Sequence, residues 1–459
     1  MCRPHSRVWS QFGIRLSAMH SLRIVLVLIL TLGGSVMAAD WPQWRGPHGS
    51  GIADDKNLPD RWTATENVAW KASLAGLGVS SPIVWGDRVF VTSQIGDGIT
   101  RQGPRLVQRG DAAAAGERAL GSGRARPTTD RTFFVVEAFS RADGKRIWQH
   151  RVEAVGPLPS VHDKHNLASP SPVTDGQMVY AWFGTGQIVA LDVNGKVVWE
   201  RHLGKEISPF EINWGHSSSP TLFQDSLILL CDHSPASYLL AVDKRTGKDR
   251  WKTDRGSGRS SYTTPFVVES ASGAELIVNS SQRVDAYDPR TGAFLWHVGG
   301  SNQFPIPAPT FHNGIVYMSR GYRSGPYMAI RPGGKGDVAA SHVVWQVNTG
   351  APYISSLVYD GGLLYMANDV GAITVVDAAN GQKVWQERVD GVFSASPVAG
   401  DGKIYFVSET GETIVLRSGR EPRIIARNDV GERLIASPAI SNGQIFLRSD
   451  DRLIAIGKR

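Results

Sequence analysis

The stretch SVHDKHN, residues 160–166, sets two imidazoles three positions apart with a carboxylate between them. His162, Asp163 and His165, with the distant His216, are the groups here best suited to ligate Zn²⁺ or Cu²⁺, since neutral imidazole and carboxylate are their usual donors. Two histidines three apart in a loop also fit plain loop hydrogen bonding, and we assign no metal ligand on this spacing. No other stretch carries a recognisable catalytic pattern. There is no Gly-x-Ser-x-Gly elbow, no His-Glu-x-x-His and no Cys-x-x-Cys-His. RGYRSGPY (320–327) and RPGGKGD (331–337) are Gly-rich with Arg, but lack the strand-to-helix context of a phosphate loop. No catalytic residue is assigned.

Polar and aromatic residues are instead spread over several short segments: SVHDKHN, then FEINWGHSSS (210–219), GRSSYTT (258–264), SNQFP (301–305), APYISS (351–356) and GVFSAS (391–396). If the fold brings these together, His162, His165, Asn166, Asn213, His216, Arg259, Tyr262 and Tyr353 are the candidates for binding a ligand, because a concave mouth with a few convergent polar groups is the default binding site.

Such convergence needs a circular scaffold, and the chain contains one in its repeats. AVDKRTGKDRW (241–251) and AYDPRTGAFLW (286–296) share a small residue, an Asp, a Gly and a Trp at fixed offsets. AFSRADGKRIW (138–148), ALDVNGKVVW (190–199) and VVDAANGQKVW (375–385) are further copies, and a stretched one runs from Ala329 to Trp345. A Ser-Ser-Pro phrase, an apolar pair, a Gly/Asp/Asn turn and an apolar run precede each copy. Eight such phrases occur, at steps of 40 to 48 residues where the spacing is read from Pro172 to Pro438. Repeats of this length with four short strands each predict an all-β, eight-bladed β-propeller. The last repeat ends at LIAIGKR with no closing strand, and NVAWKASL (67–74) is a closing strand without a blade. The N-terminal strand carrying Trp70 is therefore expected to close the last blade and leave no open edge. Trp70, Trp148, Trp199, Trp251, Trp296, Trp345 and Trp385 read as structural docking residues between blades.

Arg15 and Arg23, the apolar run from Ile24 to Leu32 and Val36-Met37-Ala38 have the form of a secretory signal cleaved near Ala38, with Met1 or Met19 as the start. Residues 1–38 are thus expected to be a signal peptide, 39–66 an N-terminal extension and 67–459 the propeller, with a flexible insert at 94–131 in the first blade. The chain has a formal charge of +7. Residues 1–38 hold four Arg and no acid, and residues 101–131 carry a further +4. The remainder is near neutral, which argues against a nucleic-acid-binding face. No transmembrane span is expected after removal of the signal. Cys231 is the single cysteine after Cys2, so no internal disulfide is available in an oxidising compartment.

The small-Asp-Gly-Trp sentence resembles the tryptophan-docking motif of the pyrroloquinoline quinone (PQQ) β-propellers over about residues 40–457, and WPQWRGPHGSGI (41–52) is similar to the opening of secreted members. The resemblance implies one of two roles. Quinoprotein alcohol or sugar dehydrogenases use PQQ, Ca²⁺, an Asp base and a vicinal disulfide. Members such as the outer-membrane assembly factor BamB bind no quinone and act as scaffolds. With Cys231 alone, the disulfide is missing. The expected function is an exported, quinone-free scaffold, periplasmic or secreted, for an envelope protein or small ligand. The alternatives are a PQQ/Ca-dependent dehydrogenase and a small-ligand or sugar-binding module at the channel mouth.

Overall fold

The computed structural model describes residues 39–96, 100–101, 131–322 and 325–458. Eight sheets, each with four antiparallel strands and one with a short fifth strand, are arranged as the blades of a propeller. Blade 1 comprises Ile83–Trp85, Arg88–Ile95, Phe133–Ser140 and Arg146–Glu153. Blades 2 to 7 follow in order, their innermost strands beginning at Val173, Thr221, Phe266, Thr310, Val358 and Val398. Blade 8 has Ala439–Ser441, Gln444–Arg448 and Arg452–Ile456 from the C-terminus, and its outer strand is Val68–Ser73. Trp70 pairs with Ala455 across that junction. The N-terminal strand closes the ring as expected.

The second and third strands of each blade are apolar and almost wholly buried, because neighbouring blades cover both of their faces. The outer strands alternate exposed and buried residues, as in Val68–Ser73 and Ile424–Asp429. This alternation is the period-two signature of a strand covered on one face only. Hydrophobic clusters therefore span pairs of blades; one joins Tyr180, Trp182 and Ala190 of blade 2 to Leu227, Leu229 and Leu240 of blade 3.

The repeated sentence now has a geometry. The small residue is the cross-strand partner of the tryptophan: Ala190 faces Trp199, Ala241 faces Trp251, Ala286 faces Trp296 and Val375 faces Trp385. A register shift follows immediately in each pair, a bulge that tightens the twist of the outer strand. The Asp caps the turn: Asp243 Oδ1 accepts from the backbone N–H of Arg245 and Thr246, each at 3.1 Å. The glycine serves the previous blade. A Cβ on Gly247 would lie 2.8 Å from the indole of Trp199, and one on Gly195 would lie 2.6 Å from that of Trp148. Both glycines also have positive φ, +70° and +87°, which favours Gly for a second reason.

Each indole then donates its N–H to a turn carbonyl of the next blade. Trp70 reaches Arg141 O at 2.8 Å, Trp148 reaches Val193 O at 2.8 Å, Trp199 reaches Lys244 O at 2.9 Å and Trp345 reaches Ala378 O at 2.9 Å. Trp251 and Trp385 do likewise, to Pro289 O and Gly419 O. Trp296 is the exception. It is fully buried and donates to Glu275 of its own blade at 2.7 Å. The following turn is stretched, and Gly336–Asp337 from that insertion adds a short parallel strand beside the Trp296 strand. The Ser-Ser-Pro phrase supplies a second set of ties. The N–H of Ser81 donates to the Ser171 hydroxyl, Ser171 to Ser219, Ser356 to Ser396 and Ser396 to Ser437, all between 2.9 and 3.0 Å.

The 39–66 extension is not a free arm. Trp41 bridges to Val84 in blade 1 and Ile52 to Ala399 in blade 7. Between them Arg45 is fully buried, with its guanidinium donating to Pro309 O at 3.1 Å, Ser50 O at 2.8 Å and Leu357 O at 2.5 Å. The segment thus lies across the end of the channel where the innermost strands finish. The insert expected at 94–131 is shorter at both ends. Gln94 and Ile95 pair with Phe134 and Phe133, and Arg131 forms an ion pair with Glu153. The remainder of the insert and the N-terminal 38 residues lie outside the described residues, apart from Thr100–Arg101, which pair with Val161–His162.

Candidate functional site

Each innermost strand begins at one face of the ring. The connections leading into these strands, together with the turns between the second and third strands, gather on that face. They bring seven of the eight candidate residues to buried or half-buried positions and leave Asn213 exposed.

The histidines of 160–166 are already engaged. His162 Nδ1 lies 2.7 Å from Asp163 Oδ1 and accepts from the Lys164 N–H at 3.1 Å. His165 Nε2 lies 2.6 Å from Trp214 O, and its Nδ1 lies 3.0 Å from the Ser169 hydroxyl. The Ser169 hydroxyl donates to Asn166 O at 2.6 Å, and burial lowers the pKa of His165 to about 4, so the ring stays neutral. These are loop hydrogen bonds, with Asn166 tying the loop to Leu77 O at 2.8 Å. Among the described residues, no three His, Cys, Asp or Glu side chains are grouped to hold a metal ion.

Two candidates are drawn away from the mouth. Arg259 is buried in an ion network between blades 3 and 4: it donates to Asp285 at 2.7 Å, and Arg255 bridges Asp285 and Asp232. A committed guanidinium of this kind is a strut, not a ligand-binding group. His216 is 1% exposed, its ring 4.2 Å from that of Trp182 and 5.3 Å from that of Phe210. Burial, followed by the neighbouring His233, drives its pKa down to about 3 against a backbone contact at Ser218.

What lines the mouth is an arc of rings. His162 meets Trp214 at 5.9 Å, Trp214 meets Phe304 at 6.5 Å, Phe304 meets Tyr322 at 5.3 Å and Tyr322 meets Tyr353 at 5.2 Å. Tyr262 adds an edge against Phe304 at 6.4 Å, and its hydroxyl is buried without a partner. Burial raises the pKa of both Tyr262 and Tyr353, so their phenols stay protonated. Trp214 and Phe304 both hold positive φ, +87° and +52°. Bulky residues adopt this conformation only when their surroundings impose it, and such strain gathers at binding sites. Two residues along from His162, Lys164 reaches across to blade 7 and pairs with the fully buried Glu409 at 2.8 Å. Ser394 also donates to Glu409, whose second oxygen has no partner. Asp369 of blade 6 accepts from the Ile354 N–H at 3.3 Å, and burial raises its pKa to about 7 against the pull of Lys164.

Sequence reasoning named His162, Tyr262 and Tyr353 in this group but missed Trp214, Phe304, Tyr322, Lys164, Asp369 and Glu409. The segments FEINWGHSSS and SNQFP did point to Trp214 and Phe304. No sequence signal links Lys164 to a carboxylate 245 positions away.

A family profile described as outer membrane protein assembly factor BamB matches residues 132–328 and 335–421. The chain belongs to this family of PQQ-repeat β-propellers. A BamB of Yersinia pestis is 24% identical over 56% of this chain and 67% of its own length. A tetrathionate hydrolase of Acidithiobacillus ferrooxidans is 23% identical over 75% of this chain, which spans 65% of that relative, just under two thirds. The quinohemoprotein alcohol dehydrogenase of Comamonas testosteroni superposes with a TM-score of 0.62 at 11% identity, covering 92% of this chain and 81% of that one, a likeness of fold. One feature of the quinoprotein dehydrogenases, an adjacent pair of cysteines, is missing from the sequence. Cys231 is the free cysteine of the described residues, buried in an inner strand, where it can form no vicinal disulfide.

Proposed function

We propose that this propeller is an exported scaffold of the cell envelope that presents its ring-lined mouth to a partner protein or small ligand, and that it works without bound quinone. The observation carrying this reading is the pair Trp214 and Phe304, held in strained backbone conformations and meeting edge to face at 6.5 Å on the face that also gathers the Lys164–Glu409 pair. Membership of the BamB-type family supports a scaffolding role in the envelope. The apolar run and small residues before Ala39 support export through a signal cleaved near Ala38. Among the described residues no helix is long and apolar enough to cross a membrane.

The test is a photoreactive side chain placed at Phe304, with one at Arg290 on an outer turn as control. A discrete envelope adduct from position 304 and none from 290 is expected. Equal labelling at both positions, or none at either, overturns the assignment of the mouth. Dye-linked oxidation of alcohols and sugars with added PQQ and Ca²⁺ is expected to stay at background; turnover above it would move the protein among the dehydrogenases.

A further inference from the structure

The opposite face of the ring holds a cavity of about 870 Å³, within the range of small-molecule sites. One side is the N-terminal segment with Trp44, His48 and Asp54; the other is the ends of the innermost strands of blades 3 to 6. The side walls are aromatic. Phe223, Phe266, Phe311 and Tyr359 come from four successive blades, and His312 stacks on Tyr359 at 3.8 Å and 20°. The wall formed by the segment is fixed: a Cβ on Gly49 would already lie 3.0 Å from the Phe266 ring, and Arg45 behind it is held by three carbonyls.

The charge that lines this cavity has one sign, while two cations stand outside the lining: Arg45 lies 5.8 Å from the Trp44 ring and Arg290 5.6 Å from the Phe223 ring. Asp54, Glu269 and Asp360 line it, none of them in an ion pair among the described residues, and no lining residue is Lys or Arg. Burial holds His312 below the usual imidazole range, so it adds no positive charge at neutral pH. Three unpaired carboxylates around aromatic walls give a negative potential that the cavity shape focuses, and ring faces attract cations directly. A neutral sugar could use the same rings but would leave these carboxylates uncompensated.

We propose that this cavity is a binding site for an alkylammonium or guanidinium group, carried either by a free polyamine or by a basic peptide segment. It is separate from the mouth and does not depend on the function proposed for it. The test is calorimetric titration of the full chain with spermidine, with the peptide acetyl-Lys-Arg-Lys-amide and with maltotriose. At least one cationic probe is expected to bind, more weakly as NaCl is raised from 20 to 200 mM, and maltotriose is expected to give no binding heat. Binding of spermidine alone points to a polyamine, and of the peptide alone to a protein segment. The paired substitution Glu269→Gln and Asp360→Asn should weaken binding about tenfold, whereas Glu200→Gln, on an outer strand, should not change it. Tyr359→Leu should weaken binding without altering its salt dependence. Failure of both cations, binding of maltotriose, or unchanged cation affinity in the paired variant overturns the proposal. Unchanged thermal melting of these surface variants keeps each result interpretable.

Discussion

Gly247→Ala separates the two reasons for glycine in the repeated sentence. At φ +70° an alanine incurs the left-handed penalty, about 1–2 kcal/mol. Its Cβ would also lie 2.8 Å from Cδ2 and Cε3 of Trp199, closer than ordinary contact. Relieving that overlap moves an indole that is 9% exposed and hydrogen-bonded to Lys244 O, at a cost of about 1–3 kcal/mol. The total is roughly 2–5 kcal/mol. Gly256 supplies the control: its φ is +84°, but nothing lies within 4 Å of a Cβ there. Gly256→Ala should cost only the backbone term, about 1–2 kcal/mol. Urea unfolding of both variants, and of each in a Trp199→Ala background, measures the difference. The excess cost at Gly247 should vanish once the indole is gone. If the two alanine variants lose the same stability within about 0.5 kcal/mol, the indole contact is not what selects glycine, and the account of blade docking fails.

Trp70→Ala should lower stability by about 3–5 kcal/mol in the same assay, because it empties the joint between the two chain ends and strands Arg141 O without a donor; a loss below about 1 kcal/mol would contradict closure through this residue. Asp369 should make stability fall as pH rises. Its folded pKa, about 7, exceeds its unfolded value near 3.8, so between those values the native state keeps a proton that the unfolded chain releases. Asp369→Asn should abolish this component, gaining roughly 4 kcal/mol over the wild type at pH 8 relative to pH 4 in denaturation curves. Parallel pH profiles would refute the buried-carboxyl reading.

The ring was legible because its rules are local and repeated. An Ala facing a Trp, a capping Asp and a Gly against the preceding indole must recur wherever one blade meets the next, so several copies reveal them. The break at Trp296 was not legible, since Trp296 keeps the motif while the turn after it changes its partner to Glu275. The 39–66 extension was opaque for a related reason: Trp41, Arg45 and Ile52 each make one unrepeated contact with a different blade. At the mouth, the sequence indicated the right segments but not which side chains face the channel. Arg259 and Tyr262 are three positions apart in one segment, yet one enters an ion network and the other faces Phe304. Direction within a loop depends on the backbone dihedrals that tertiary packing imposes, and the positive φ of Trp214 and Phe304 is an instance.

The two ends of the channel also differ for a reason rooted in connectivity. Connections into the innermost strands and the turns between second and third strands differ in sequence from blade to blade, and together they gather Lys164, Glu409, Asp369 and the ring arc on that face. At the other end the innermost strands turn back in short hairpins such as Phe223–Ser226 and Asp360–Leu363, which leave little chain for building a site. The N-terminal segment makes up the deficit. By crossing from Val84 to Ala399 it supplies one wall of the 870 Å³ cavity and two of the polar groups, His48 and Asp54, that the hairpins lack. The chain end that completes blade 8 through Trp70 therefore also builds a binding surface, and a change in residues 43–54 can alter that surface while leaving every blade intact.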